Sequence, residues 1–206
     1  MIGFYDYTIV TTFLSLFSSM LGIFLTSQSN YKYAILCLAL SGFCDMLDGK
    51  IARTKKDRSD EQKSFGIQLD SLCDIVCFGV FPAYFAYRNG MDRIFGIVIL
   101  LFYVMNGVIR LAYYNVMEEK RQKETTENRK FYSGLPITSI SIALPIFYLI
   151  GSQLEHKFYV LLIHICMTVV GTLFVVDFKV KKPNNAQLAV IVIVVALVVL
   201  SMLKLI

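Results

Sequence analysis

An all-α, polytopic bundle of membrane-spanning helices, six to eight in number and seven by direct count, is the expected architecture, and three observations require it. The chain of 206 residues is 56% hydrophobic and only 17% charged, with a mean hydropathy of +0.62, which is too apolar for a soluble domain of this size. Its apolar residues gather into runs near the length of about 20 that a helix needs to cross the hydrocarbon core with its backbone amides satisfied internally. Between the runs, lysine and arginine concentrate in alternate loops.

The first run, residues 7 to 26, follows MIGFYDYTIV, which lacks the cationic region of a cleavable signal, so this run is expected to remain as a span. The second and third, 31 to 53 and 66 to 88, are joined by a polar, basic stretch. The fourth, 92 to 117, carries Arg110; the fifth, 136 to 150, is the shortest; the sixth covers 157 to 177. The seventh, 186 to 205, holds little but aliphatic side chains and is expected only to pack or anchor. No internal repeat or low-complexity tract divides the chain, so residues 1–206 read as one domain. Cys37, Cys44, Cys73, Cys77 and Cys166 all fall in apolar runs without CxxC spacing, which argues against disulfides or zinc. His156 and His164 are far along the chain from any acidic cluster and read as structural.

The net charge is +5, but its distribution says more. Loops 53 to 65, 118 to 135 and 177 to 185 together carry thirteen lysines and arginines, against five at the other connections and the far end. Those three loops are therefore expected in the cytoplasm, with the amino terminus inside and, for seven spans, the carboxyl terminus outside. Charge beside anionic headgroups explains them better than nucleic acid, and no nucleic-acid partner is expected.

Four aspartates stand at the ends of two apolar runs, where each ionised group costs about 2.5 to 3.5 kcal/mol at mid-membrane and demands a cation. Asp45 and Asp48 are three residues apart, and Asp70 and Asp74 four apart, so each pair projects from one helix face. One pair closes the second run and the other opens the third, so both can meet at the cytoplasmic interface. Lysines of the joining loop could neutralise two such groups, but four converging carboxylates suit a hard divalent cation: magnesium, manganese or calcium. Two such ions about 4 Å apart would form a clamp for phosphoryl-type displacement. Gly49 and Ala52 share the stripe of Asp45 and Asp48, and Gly66 lies one turn before Asp70, so a ligand could approach the backbone there. Arg53 can fork onto phosphate oxygens.

Read together, Asp45-Met-Leu-Asp48-Gly49-Lys-Ile-Ala52-Arg53 and Gly66-Ile-Gln-Leu-Asp70-Ser-Leu-Cys-Asp74 resemble the signature of the CDP-alcohol phosphotransferase family, D-x-x-D-G-x-x-A-R followed by G-x-x-x-D-x-x-x-D. All eight fixed positions are met. The spacer departs from the pattern: residues 54 to 65 make twelve where about eight is usual, and the family's Pro-Asn before the first span is absent. The run GIQLDSLCDIVCFGVFPA, the stretch Arg110 to Asn115 and Tyr132-Ser133-Gly134-Leu135-Pro136 look like the phosphatidylserine synthase branch, extending the likeness over roughly residues 40 to 145.

The resemblance implies a CDP-diacylglycerol donor, an acceptor alcohol that attacks the lipid-side phosphorus, and CMP as leaving group. It implies that Asp45, Asp48 and Asp70 hold one cation, that Asp70 and Asp74 hold a second, and that Asp74 takes the acceptor's proton. Gly49, Ala52, Arg53, Gly66 and Ser64 would line the CDP pocket. Homodimers are common in the family, so a homodimer is expected. An L-serine acceptor wants a cation for its carboxylate: Arg110 inside the fourth run is the candidate, with Asn115 nearby. Tyr132, Ser133 and Gly134 precede Pro136, which suits the first turn of a helix, so free N–H groups there are further candidates to receive a carboxylate. A sibling enzyme using glycerol phosphate, inositol phosphate or another alcohol is the alternative, and a divalent-cation carrier is a remote one. A carrier has no need of the Gly, Ala and Arg in register.

Overall fold

Apolar runs joined by turns too short to cross a bilayer must run antiparallel, and the computed structural model, which describes residues 3–52, 54–55, 57, 59–124, 131–181 and 184–204, is built that way. Seven helical rods alternate in direction: α1 (Ile9–Ser27), α2 (Tyr31–Ala52), a continuous rod made of α3 (Asp60–Asp74), a π-helical stretch (Ile75–Val80) and α4 (Phe81–Arg88), then α5 (Ile94–Glu124), α6 (Ile140–Gly151), α7 (His156–Val175) and α8 (Asn185–Lys204). The expected helical membrane bundle is thus borne out. Among the described residues, α1, the 60–88 rod, α5 as far as Arg121, and α7 are long and apolar enough to cross a membrane on their own. The second rod is long, but Asp45, Asp48 and Lys50 make its last turns polar. The sixth and eighth are shorter apolar helices.

The third rod begins at Asp60, six residues before the expected boundary at 66, because its start is capped rather than set by hydropathy. Ser59 accepts from the Gln62 N–H at 3.2 Å, and Gln62 Oε1 accepts from the Ser59 N–H at 3.1 Å. This reciprocal box satisfies two otherwise orphaned donors, and Asp60 and Glu61 complement the positive end of the helix. Ser59→Ala is expected to cost about 1 kcal/mol. The melting midpoint followed by circular dichroism should drop by about 2–4 °C.

The π-helical stretch follows Asp74 directly. One extra residue in a turn swings the later side chains by about 100°, so Asp70 and Asp74 face one direction while Cys77, Phe78, Phe81 and Phe85 point into the core. The Tyr103 hydroxyl donates to the Phe78 carbonyl, meeting an acceptor that the α-helical pattern would otherwise have used. Small residues let the first rods approach closely. Ser15 and Ser19 both reach Ser41, at 2.7 and 2.8 Å, and Ser18 donates to the Cys37 carbonyl at 2.8 Å. At Gly42, an added Cβ would collide with Ser141 Oγ, so α2 and α6 touch only because that position has no side chain.

Two of the basic loops pair with each other. The segments β1 (Phe131–Ser133) and β2 (Lys179–Lys181) form a short antiparallel ladder, with Ser133 opposite Lys179. It continues through Gly134, whose φ of 71° suits glycine and whose N–H donates to the Phe178 carbonyl at 2.8 Å. The Leu135 N–H then donates to the Leu173 carbonyl at 3.1 Å. The helical turn expected around Pro136 forms directly after it, at Ile137–Ser139, and the residues before it pair as strand instead of presenting free N–H groups.

Candidate metal centre between the second and third rods

The two aspartate pairs meet, but they pair across the helices. Since α2 and α3 run in opposite directions, the later residue of one pair opposes the earlier residue of the other: Asp45 contacts Asp74 and Asp48 contacts Asp70. One carboxylate oxygen from each of Asp45, Asp70 and Asp74 lies within 4.8 Å of the others. All four residues are half-buried. The backbones of α2 and α3 scarcely approach each other, with α1 packed on both, so these side chains reach into a gap between helices.

Carboxylates held this close repel unless a proton or a cation lies between them. Two lysines of the joining loop are committed elsewhere, Lys55 to Asp6 at 3.6 Å and Lys63 to Asp60 at 3.0 Å. Among the described residues, no ion pair involves Asp45, Asp70 or Asp74, and the buried Asp70 Oδ1 accepts no hydrogen bond. A buried carboxylate oxygen without a donor, beside two more within ligand distance, fits a hard divalent cation.

The flanking polar side chains form a chain. Ser71 Oγ donates to Asn115 Oδ1 at 2.8 Å, Asn115 Nδ2 donates to Gln68 Oε1 at 3.4 Å, and Gln68 Nε2 reaches Glu119 at 3.4 Å. Asn115 on α5 is thus tied to the helix that carries Asp70 and Asp74. Ser71 and Gln68 were absent from the sequence-based candidates; as variable positions inside the motif they gave no signal. Arg110 is buried, with Nε donating to the Leu135 carbonyl at 3.1 Å and the guanidinium 5.6 Å from the centre of the Tyr114 ring.

The remaining candidates divide by place. Gly66, Asp70 and Asp74 recur at four-residue intervals on one stripe of α3, whereas Ser64 is exposed and lies off it. Gly49 and Ala52 occupy the last turn of α2, their side-chain surroundings being outside the described residues, as are all of Arg53 and the side chain of Tyr132. Ser133 and Gly134 lie in and just after β1, and the Gly134 N–H, expected to be free for a carboxylate, is taken by Phe178.

Comparison with known proteins gives one family, described as CDP-alcohol phosphatidyltransferase, matched over residues 8–204. The chain is similar to a CDP-diacylglycerol–serine O-phosphatidyltransferase of Saccharomyces cerevisiae, 35% identical over 63% of this chain and 47% of the relative. It is similar to an archaetidylserine synthase of Methanothermobacter thermautotrophicus, 33% identical over 73% of this chain and 61% of the relative. A CDP-diacylglycerol–serine O-phosphatidyltransferase of Helicobacter pylori is 27% identical over 87% of this chain and 75% of that protein. The alignments to the first two relatives therefore cover about half to three-fifths of their lengths.

Proposed function

This chain belongs to the CDP-alcohol phosphatidyltransferase family, and we propose that it transfers the phosphatidyl group of CDP-diacylglycerol to L-serine, giving phosphatidylserine and CMP. The observation that carries this reading is the convergence of Asp45, Asp70 and Asp74 within 4.8 Å, in the motif register of the family. Similarity to relatives named for the serine reaction supports the acceptor.

Each residue then has a defined task. Asp45, Asp48 and Asp70 would hold one divalent cation, and Asp70 and Asp74 a second. When bound, magnesium or manganese supplies charge neutralisation for the pyrophosphate and the departing CMP. Asp74 accepts the proton of the serine hydroxyl as its oxygen bonds to the lipid-side phosphorus and the bond from that phosphorus to CMP breaks. Gly49, Ala52 and Gly66 leave room for the nucleotide, and Arg53 forks onto its phosphates. Arg110 and Asn115 hold the serine, since the N–H at Gly134 is already engaged. The described parts of the three basic loops lie with the aspartates at one end of the alternating rods, which supports a site open to the cytoplasm and an amino terminus inside. The family match over nearly the whole chain supports one domain.

The test is purified protein with manganese, CDP-diacylglycerol and labelled serine, glycerol phosphate or inositol phosphate, scored by which label enters lipid, with an archaetidyl donor as a parallel arm. Serine is expected to label the lipid; labelling by a phosphorylated acceptor alone would select the sibling reaction. Arg110→Ala is expected to raise the KM for serine by about thirtyfold and to change that for the lipid by less than about twofold. Equal rises in both would remove Arg110 from the acceptor site.

A further inference from the structure

At the end of the bundle opposite the aspartates, the start of α2 and the α4–α5 and α6–α7 turns line an open cavity of about 630 Å³, a size typical of small-molecule sites. It does not belong to the metal centre. Tyr31 and Arg88 line it, and each is fourteen residues along its own rod from Asp45 or Asp74, a separation of about 21 Å at the helical rise.

The wall is aromatic. Tyr31, Tyr87, Tyr148 and Tyr159 line it, and hydrogen bonding holds two of them: the Tyr31 hydroxyl donates to the Arg88 carbonyl at 3.0 Å, and the Tyr159 hydroxyl donates to Asn89 Oδ1. The rings of Tyr148 and Tyr159 meet edge to face with centroids 6.0 Å apart. The mouth is charged. Arg88 is exposed and sits at the outer limit of hydrogen bonding to Ser27 and Ser29, at 3.5 Å from each, so little holds it there. Asp92 is exposed on the next turn, and His156 opens α7 beside Tyr159. Lys32, Arg93, Glu155 and Lys157 are the other charged residues of these turns.

A guanidinium, a carboxylate and tyrosine side chains lining one cavity match a ligand that carries both a phosphate and an ammonium. A guanidinium such as that of Arg88 can fork onto a phosphate, while a carboxylate such as Asp92 and tyrosine rings can receive an ammonium. The cavity lies at the helix ends, the depth at which tyrosines meet headgroups. Beside Asp92, Ile94 and Phe95 are 83% and 72% exposed, offering an apolar surface for acyl chains. We propose that this cavity binds the headgroup of a zwitterionic glycerophospholipid from the leaflet opposite the aspartates.

The test is equilibrium binding of dioctanoyl glycerophosphoethanolamine to the full chain in detergent, by titration calorimetry. Arg88→Gln and Asp92→Asn are each expected to raise the Kd about tenfold while CMP release stays unchanged; the exposed Asp92 variant keeps the test open if the Arg88 variant misfolds. Dioctanoyl glycerophosphate, which lacks the ammonium, should bind about tenfold more weakly and be indifferent to Asp92→Asn. Deacylated glycerophosphoethanolamine should bind at least a hundredfold more weakly, and equal affinity would overturn a lipid ligand in favour of a soluble one. Unaltered binding in both variants, or binding lost in Asp70→Asn, would overturn the site itself.

Discussion

Replacing Asp74 with asparagine is expected to lower CMP release from CDP-diacylglycerol by about three orders of magnitude while the bundle stays folded. An aliphatic hydroxyl is a poor nucleophile at neutral pH, so loss of the positioned base removes most of the chemical step. Asparagine keeps the size of the side chain and one oxygen, so the contact with Asp45 survives in shape. It also takes one acidic group out of the crowded cluster, whose carboxylates repel whenever they are ionised together. The melting midpoint of the metal-free protein should therefore hold or rise, and a structural role alone would make it fall. A CMP-release rate within threefold of the parent protein would remove Asp74 from the base role. Comparing melting in chelator with turnover in manganese keeps the two effects apart.

How much of this site was readable beforehand depends on distance along the chain. Spacings of three and four put each aspartate pair on one helix face, and the convergence of the two pairs followed from the loop that joins those two helix ends on one side. The cross-pairing of Asp45 with Asp74 and Asp48 with Asp70 depends on the antiparallel register, which spacing within each helix does not specify. The early start of α3 was legible in Ser59-Asp-Glu-Gln62, a capping signature, but a boundary set by hydropathy alone falls at the membrane surface instead. Nothing in Ile75–Val80 distinguishes a π turn from an α turn, because both bury the same apolar side chains. The β1–β2 ladder is three residues long on each side, too short for alternation to stand out. The anchoring of Arg110 on the Leu135 carbonyl links positions 25 apart, and a buried arginine satisfied by a backbone oxygen leaves no mark in composition.

Manganese should stabilise the protein through the same aspartates, and Asp70 should matter most to that effect. Asp70 contacts Asp48 and lies within ligand distance of Asp45 and Asp74, so it is common to both proposed cation positions. A cation that binds only the folded state at a hundred times its Kd adds about 2.7 kcal/mol. For a chain of this length that is a rise in melting midpoint of about 5–10 °C. Asp70→Asn is expected to abolish the rise and the activity together. Lys63→Ala, which breaks an exposed pair with Asp60, should leave both intact. Chelation of the parent protein should stop CMP release, and manganese should restore it. An equal manganese-dependent shift in Asp70→Asn would place the stabilising ion outside the cluster, whereas full turnover in chelator would sink the metal reading without touching the family assignment. Because melting reports binding in the absence of substrate, a failure in catalysis alone cannot imitate a failure to hold the cation.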